Sequence, residues 1–371
     1  MIGPARAGAA LALILWVGTG AAPGGQTASS DPAGLRAAAE RGEAEAQFAL
    51  GVRYATGDGV ATDDREAARW IERAAAQGHV GAQFNLGLMY ADGNGVPQDS
   101  VRAVEWLRKA ADQGDARAQS NLGLMYANGS GVPLDATIAF EWYRKAALQH
   151  ELTAQFTLGL MYANGTGVPA DAAAAAQWFR KAAERDHVLA QYNLGLAYAR
   201  GLGVASDQAT AARWFRTAAE RGDAQSQFLL GTQYANGAGV PRDEAQAVAW
   251  YRRAAAQGLA SAQTNLGVRH VTGRGVAADA AEAARWFERA ARQHDAGALF
   301  NLGVLYANGS GVPPDPVRAF VLLSHAVRRA SGVEAARYGE ARDTVGASLT
   351  PAQLTDAKAL AGSDELPWAE P

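Results

Sequence analysis

The chain of 371 residues contains no cysteine. Disulfides, thiolate metal sites, a cysteine nucleophile and a lipidated N-terminal cysteine are therefore excluded. Proline is scarce at 13 residues against 42 glycines, so neither a collagen nor a proline-rich linker fits. Neither sign of charge dominates. The 34 Lys and Arg face 37 Asp and Glu, a formal net charge of −3, which argues against a phosphate-binding surface and against nucleic acid as a partner. Lysine is confined to Lys109, Lys145, Lys181 and Lys358, which reads as base composition of the gene. What the chain does have is apolar substance, 49% of its residues, enough for a large core.

One long apolar run stands at the start. Residues 1–22 carry a single positive charge, Arg6, then an apolar stretch over 7–17 and small residues up to Ala22, which reads as a secretory signal peptide. The run is about half of the roughly 20 residues that span a bilayer, so no integral membrane segment is expected after cleavage. A periplasmic home follows, with secretion beyond the cell as the alternative. Residues 23–30 are expected to be a flexible leader.

Beyond it the sequence copies itself. A Leu-Gly pair recurs at Leu50-Gly51, Leu86-Gly87, Leu122-Gly123, Leu158-Gly159, Leu194-Gly195, Leu230-Gly231, Leu266-Gly267 and Leu302-Gly303, always at a step of 36. A fixed period of this length is the signature of a solenoid, here eight copies over 43–330. In the second copy Ala82, Leu86 and Tyr90 are four apart, with Phe84, Gly87, Leu88 and Ala91 on neighbouring faces, which predicts a helix buried on most sides. It ends at Gly93 and Gly95, where left-handed backbone is expected. Asp99 then reads as the N-cap of a second helix carrying Ala103, Trp106, Leu107 and Ala110. Asp63 with Glu66, Asp243 with Gln246 and Asp279 with Glu282 fit a capping box.

A mid-helix glycine costs up to ~1 kcal/mol against alanine. Repeated in each Leu-Gly pair, that loss needs an offset, and close approach of the partner helix supplies it. The recurring tryptophans, Trp70 through Trp286, read as core, because a buried indole removes about 150–250 Å² from water.

These residues carry a resemblance. The pattern of Ala82, Leu86, Gly87, Tyr90, Gly93, Gly95, Val96, Asp99, Ala103, Trp106 and Ala110, met again in every copy with few changes, resembles the Sel1-like repeat, a relative of the tetratricopeptide repeat. The resemblance covers about four fifths of the chain. It implies an all-α fold, an α/α superhelical solenoid of helical hairpins with terminal capping helices, and a role in binding proteins rather than in catalysis.

Solenoid ends need caps. Residues 31–42 read as a lone second helix, 331–363 as two closing helices near 332–345 and 351–361, and 364–371 as a disordered tail in which Trp368 has no assigned role. The seventh copy departs most: His270 replaces the tyrosine of the other copies, beside Thr264, Arg269 and Arg274, which marks either a site or drift.

No catalytic or metal-binding residue is assigned. His79, His150, His187 and His294 fall at turns between hairpins of different copies and read as solvated; His325 and the absence of an HExxH run add no metal site. The GxGV motif follows a helix and lacks the GK[ST] ending of a phosphate loop. No cofactor is implied. For partner binding, two positions around each Leu-Gly pair, four apart, escape the apolar pattern: Asn85 with Met89, Asn121 with Met125, Thr157 with Met161, Asn193 with Ala197, Leu229 with Gln233, Asn265 with Arg269, and Asn301 with Leu305. They are expected either to form a ladder on the concave face that holds a protein or peptide, or only to pack against the next helix. The expected molecule is a monomeric scaffold of the cell envelope. The alternatives are a cell-wall- or β-lactam-acting protein, which the lack of cysteine weakens since the Sel1-like proteins so described are cysteine-rich, and a secreted factor that binds host proteins.

Overall fold

A computed structural model describes residues 32–363. The expected signal peptide and leader, Asp31 and the expected tail with Trp368 lie outside these residues. Among the described residues every regular element is a helix. The chain divides into two compact units after Arg185. The first holds α1 (Pro32–Glu40), α2 (Ala44–Thr56), α3 (Asp64–Ala76), α4 (Val80–Asp92), α5 (Ser100–Asp112), α6 (Ala116–Asn128), α7 (Ala136–Leu148), α8 (Leu152–Asn164) and α9 (Ala172–Ala183). The second holds α10 (Val188–Arg200), α11 (Gln208–Glu220), α12 (Ala224–Asn236), α13 (Glu244–Ala256), α14 (Ala260–Thr272), α15 (Ala280–Ala291), α16 (Ala296–Asn308), α17 (Pro316–Arg329), α18 (Gly332–Ser348) and α19 (Pro351–Gly362). Even-numbered helices from α2 to α16 are the first helices of eight hairpins and their successors the second helices, so the fold is an all-α solenoid closed at its ends by α1 and by α18 and α19.

Capping sets the boundaries. Asp99 Oδ1 accepts from the backbone amides of Val101 and Arg102 at 3.0 Å, and Asp63 repeats the arrangement on Arg65 and Glu66. The capping boxes are half formed, however. Glu66 accepts from Arg69 at 2.5 Å and Glu282 from Arg285 at 3.1 Å, because an arginine one turn on competes for each carboxylate. The complete reciprocal box is at Thr350 and Gln353, opening α19. First helices are capped as well, by Asp115, Asp223 and Asp295, and by two of the turn histidines. His79 and His187 accept from the amides of Ala82 and Ala190 through Nδ1 at 3.0 and 3.2 Å, so they are caps rather than merely solvated.

Close packing explains the glycines. A Cβ on Gly87 would lie 2.7 Å from Leu107 Cγ and 3.2 Å from the Ala103 carbonyl; on Gly159 it would lie 2.6 Å from the Phe179 ring. The residue after each tryptophan thus fills the space that glycine leaves. Gly95, at φ +72°, has a second reason: its Cβ would stand 1.9 Å from the carbonyl oxygen of Asp64, at the start of the previous hairpin's second helix. The loop therefore seats backbone on backbone between consecutive hairpins. The tryptophans are less uniform than expected. Trp70, Trp250 and Trp286 are buried, whereas Trp106, Trp142, Trp178 and Trp214 are half-buried. Lys109, Lys145 and Lys181 place their ammonium groups 3.8, 4.0 and 4.0 Å from the centroids of the first three of these rings. Three of the four lysines thereby have a cation–π role, worth about 0.5–1 kcal/mol at an exposed site, where composition had seemed explanation enough.

A buried glutamine column passes unnoticed in the sequence. Gln83 is 5% exposed; its Nε2 donates to the Ala75 carbonyl at 3.2 Å and its Oε1 accepts from Gln113 Nε2 at 2.7 Å. Gln47, Gln119, Gln227 and Gln263 make the same pair of bonds. Each one joins a first helix to the second helices before and after it.

Candidate protein-binding face

On the first helices the side chains left uncovered lie at a spacing of three and four, a single face of each helix. On α10 they are Leu189, Tyr192, Leu196 and Ala199; on α14, Ser261, Thr264, Val268 and Val271. Leu189 is 49% exposed and Val271 46%. In the first unit the same phase gives Arg117, Leu124 and Ala127 on α6, and Thr153, Phe156, Leu160 and Ala163 on α8, all half-buried. On α8 the stripe runs from Thr153 through the aromatic Phe156 to Leu160, whereas α10 begins it with Leu189 and α14 has Thr264 at the aromatic position. Its aromatic members rest on the second helix of their own hairpin: Phe156 on Phe179 at 6.0 Å between centroids, Tyr192 on Phe215 at 6.4 Å, Phe228 on Tyr251 at 5.8 Å. At the far end Phe300 is covered by α18, with Tyr338 stacked on it at 4.4 Å and Arg337 over its ring.

The Asn/Met ladder lies one step round the helix from this stripe. Met89, Met125, Met161 and Gln233 are buried, as are Asn85, Ala197 and Leu305, while Asn121, Thr157, Asn193, Leu229, Asn265, Arg269 and Asn301 are half-buried. The amides of Asn121, Asn193, Asn265 and Asn301 donate to the carbonyls of Arg117, Leu189, Ser261 and Gly297, one turn back, at 2.7–2.9 Å. That is the usual local bonding of a short polar side chain with its own helix. The methionine positions are packing, and the asparagines border the uncovered stripe.

The seventh hairpin builds a charged knot instead. Arg269 on α14 donates to Glu244 Oε2 at 2.5 Å, and Arg242 donates to Oε1 of the same carboxylate at 2.7 Å. The Arg242 bond, with the charges of Arg269 and Arg274, holds the Glu244 carboxyl below its ordinary range. Thr264 donates to Asp295 at 2.9 Å. His270 is buried at the tyrosine position, and its Nδ1 has no hydrogen-bond partner. Among the described residues no three metal-ligating side chains converge, and no helix is long and apolar enough to cross a membrane.

Comparison with known proteins places this architecture. The Sel1 repeat matches residues 44–79, 80–115, 116–150, 152–187, 188–223, 224–259, 260–295 and 296–329. A Sel1 repeat protein from Oxalobacter formigenes is 36% identical, over 82% of this chain and 88% of that one, at a TM-score of 0.64. A protective antigen of uropathogenic Escherichia coli strains with an SLR fold is 32% identical, over 89% of this chain and 85% of that one, at a TM-score of 0.52. No curated protein matches the chain. With all eight hairpins matched one by one, the chain belongs to the Sel1 repeat family.

Proposed function

We propose that the chain is a non-enzymatic scaffold that binds a polypeptide along the uncovered face of its first helices. The observation that carries this reading is the stripe itself. Apolar side chains at one repeat position, Leu124 and Leu160 in the first unit and Leu196 and Val268 in the second, stay partly solvent-accessible, and Leu189 and Val271 are exposed on the same helices as the latter two. Contiguous exposed apolar surface on a soluble protein marks interaction sites. In the first unit Asn121 and Thr157 border the stripe, with Met125 and Met161 packed beneath; in the second unit Asn193, Asn265 and Asn301, with Arg269, border it. The N-terminal sequence supports work in the cell envelope, as a monomer in the periplasm.

The test is capture of proteins from the exporting cell by the purified chain and by the triple variant Leu189→Glu, Leu196→Glu, Val271→Glu. Retained proteins should be lost with the variant while helicity and melting temperature hold. Equal capture by both would remove the face from consideration. Fractionation of the cell tests the periplasmic placement; recovery in the cytoplasm or the medium overturns it.

A further inference from the structure

Phe84, Tyr192, Phe228 and Phe300 occupy one repeat position, at multiples of 36 residues. Two of these rings carry a guanidinium that the chain itself supplies. In the first unit the Arg117 guanidinium of α6 stands 4.5 Å from the Phe84 centroid. In the second unit α18 lays Arg337 over Phe300 at 4.9 Å and stacks Tyr338 on the same ring at 4.4 Å. Arginine suits such a seat, because its planar, always charged and weakly hydrated guanidinium stacks on an aromatic face and is attracted by the ring quadrupole.

The other two rings have no such cover. Tyr192 and Phe228 are half-buried and are backed by Phe215 and Tyr251 of their own hairpins. Among the described residues no cation stands over either ring. The repeat position that holds Arg117 in the first unit is Gln225 after Tyr192 and Ser261 after Phe228, both uncharged. We propose that the partner supplies the missing guanidinium: the polypeptide held on the face of the second unit presents arginine to Tyr192 and Phe228, as Arg337 does to Phe300. The inference rests on the protein-binding reading and narrows its partner to an arginine-bearing segment. α18 makes the contact once already on this face, with an aromatic residue beside the arginine, and the net charge of −3 on the chain does not oppose a basic ligand.

The probe is a library of random displayed peptides, selected for binding to the purified full-length chain. Selected peptides should carry arginine. Synthetic copies in which citrulline replaces it keep the planar group and lose the charge, and they should bind about tenfold more weakly, the factor that 1.4 kcal/mol represents. Tyr192→Leu with Phe228→Leu should abolish that difference, since the apolar area stays and the ring faces go; circular dichroism checks that the variant is folded. An empty selection, binders without arginine, or a citrulline effect that survives the two leucine substitutions overturns the proposal. A neutral companion variant, Leu189→Ser with Leu196→Ser and Val271→Ser, separates this failure from failure of the face. Arginine-free peptides that it no longer binds remove the arginine and leave the face, whereas peptides that bind it undiminished and ignore Tyr192 and Phe228 remove the face as well.

Discussion

Gln113 Nε2 donates to Gln83 Oε1 at 2.7 Å across thirty residues of sequence, and the same amide reaches the Gly78 carbonyl at 3.2 Å. One side chain thus satisfies a buried acceptor on the preceding first helix and an acceptor in the preceding turn. In the fourth hairpin the donor position is Arg185. Its guanidinium reaches the His150 carbonyl but not Gln155, whose Oε1 is buried without a partner. An unsatisfied buried polar atom costs about 1–3 kcal/mol, a net hydrogen bond gains about 1. Arg185→Gln should therefore stabilise the chain by about 1 kcal/mol in urea unfolding. Gln83→Leu, which removes two hydrogen bonds at once, one to the Ala75 carbonyl and one from Gln113, should cost more than the first substitution gains. A destabilised Arg185→Gln chain would contradict this account of the column.

His150 and His294 hold left-handed backbone, at φ 64° and 62°, in the turn where Gly78, Gly114, Gly222 and Gly258 stand in other hairpins. A Cβ at those glycines would meet nothing within 4 Å, so conformation alone selects glycine there. An L-residue in this region is strained by roughly 1–2 kcal/mol, whereas glycine gives back about 0.5–1 through the freedom of the unfolded chain. His150→Gly should then raise stability by a few tenths to about 1 kcal/mol, and Gly78→His should lower it by a similar amount. Melting temperatures of the two single variants decide the point.

Gly87 and Gly95 make different demands. At Gly87 the obstacle is chiefly Leu107, a side chain that can shift, so Gly87→Ala should cost about 1–3 kcal/mol by overpacking and be partly rescued by Leu107→Val. At Gly95 the obstacle is the backbone of Asp64 together with a positive φ, so Gly95→Ala should cost more, and no side-chain change nearby should restore it. Thermal unfolding of the three variants separates the cases; rescue of Gly95→Ala by a neighbouring side chain would contradict the backbone contact.

The hairpins, their caps and the reason for each Leu-Gly pair are legible because helix periodicity and the copying of the motif reinforce one another. The glutamine column is not, since polarity at one position suggests solvent, and only the recurrence of Gln77 thirty residues after Gln47, again as Gln113 after Gln83, could have revealed a buried pair. The uncovered stripe is hard to read from the sequence for a related reason. Asn121 and Asn193 are polar but serve their own helix, and Met125 and Met161 are adaptable but packed, whereas Leu124, Leu160 and Leu196, which look like core, are the ones left half uncovered. Which apolar side is covered depends on how neighbouring hairpins stack, and a single hairpin's pattern does not contain that.

Glu244 connects the sixth and seventh hairpins, because its carboxylate lies at the start of α13 and accepts from Arg269 of α14. The Arg242 hydrogen bond first, then the charges of Arg269 and Arg274, hold its carboxyl below the ordinary range. A carboxyl depressed in the folded state adds stability above its unfolded pKa, and that contribution disappears as pH falls through the folded value. Glu244→Gln should accordingly destabilise the chain near neutral pH, by no more than about 1 kcal/mol since the group is partly solvated, and the gap to the unaltered chain should close as pH falls through the depressed folded value, below the ordinary carboxylate range. Arg269→Leu should narrow the same gap in a double-mutant cycle with Glu244→Gln. A difference between the chains that stays constant from neutral to strongly acid pH would mean that the knot acts through packing and not through its charge.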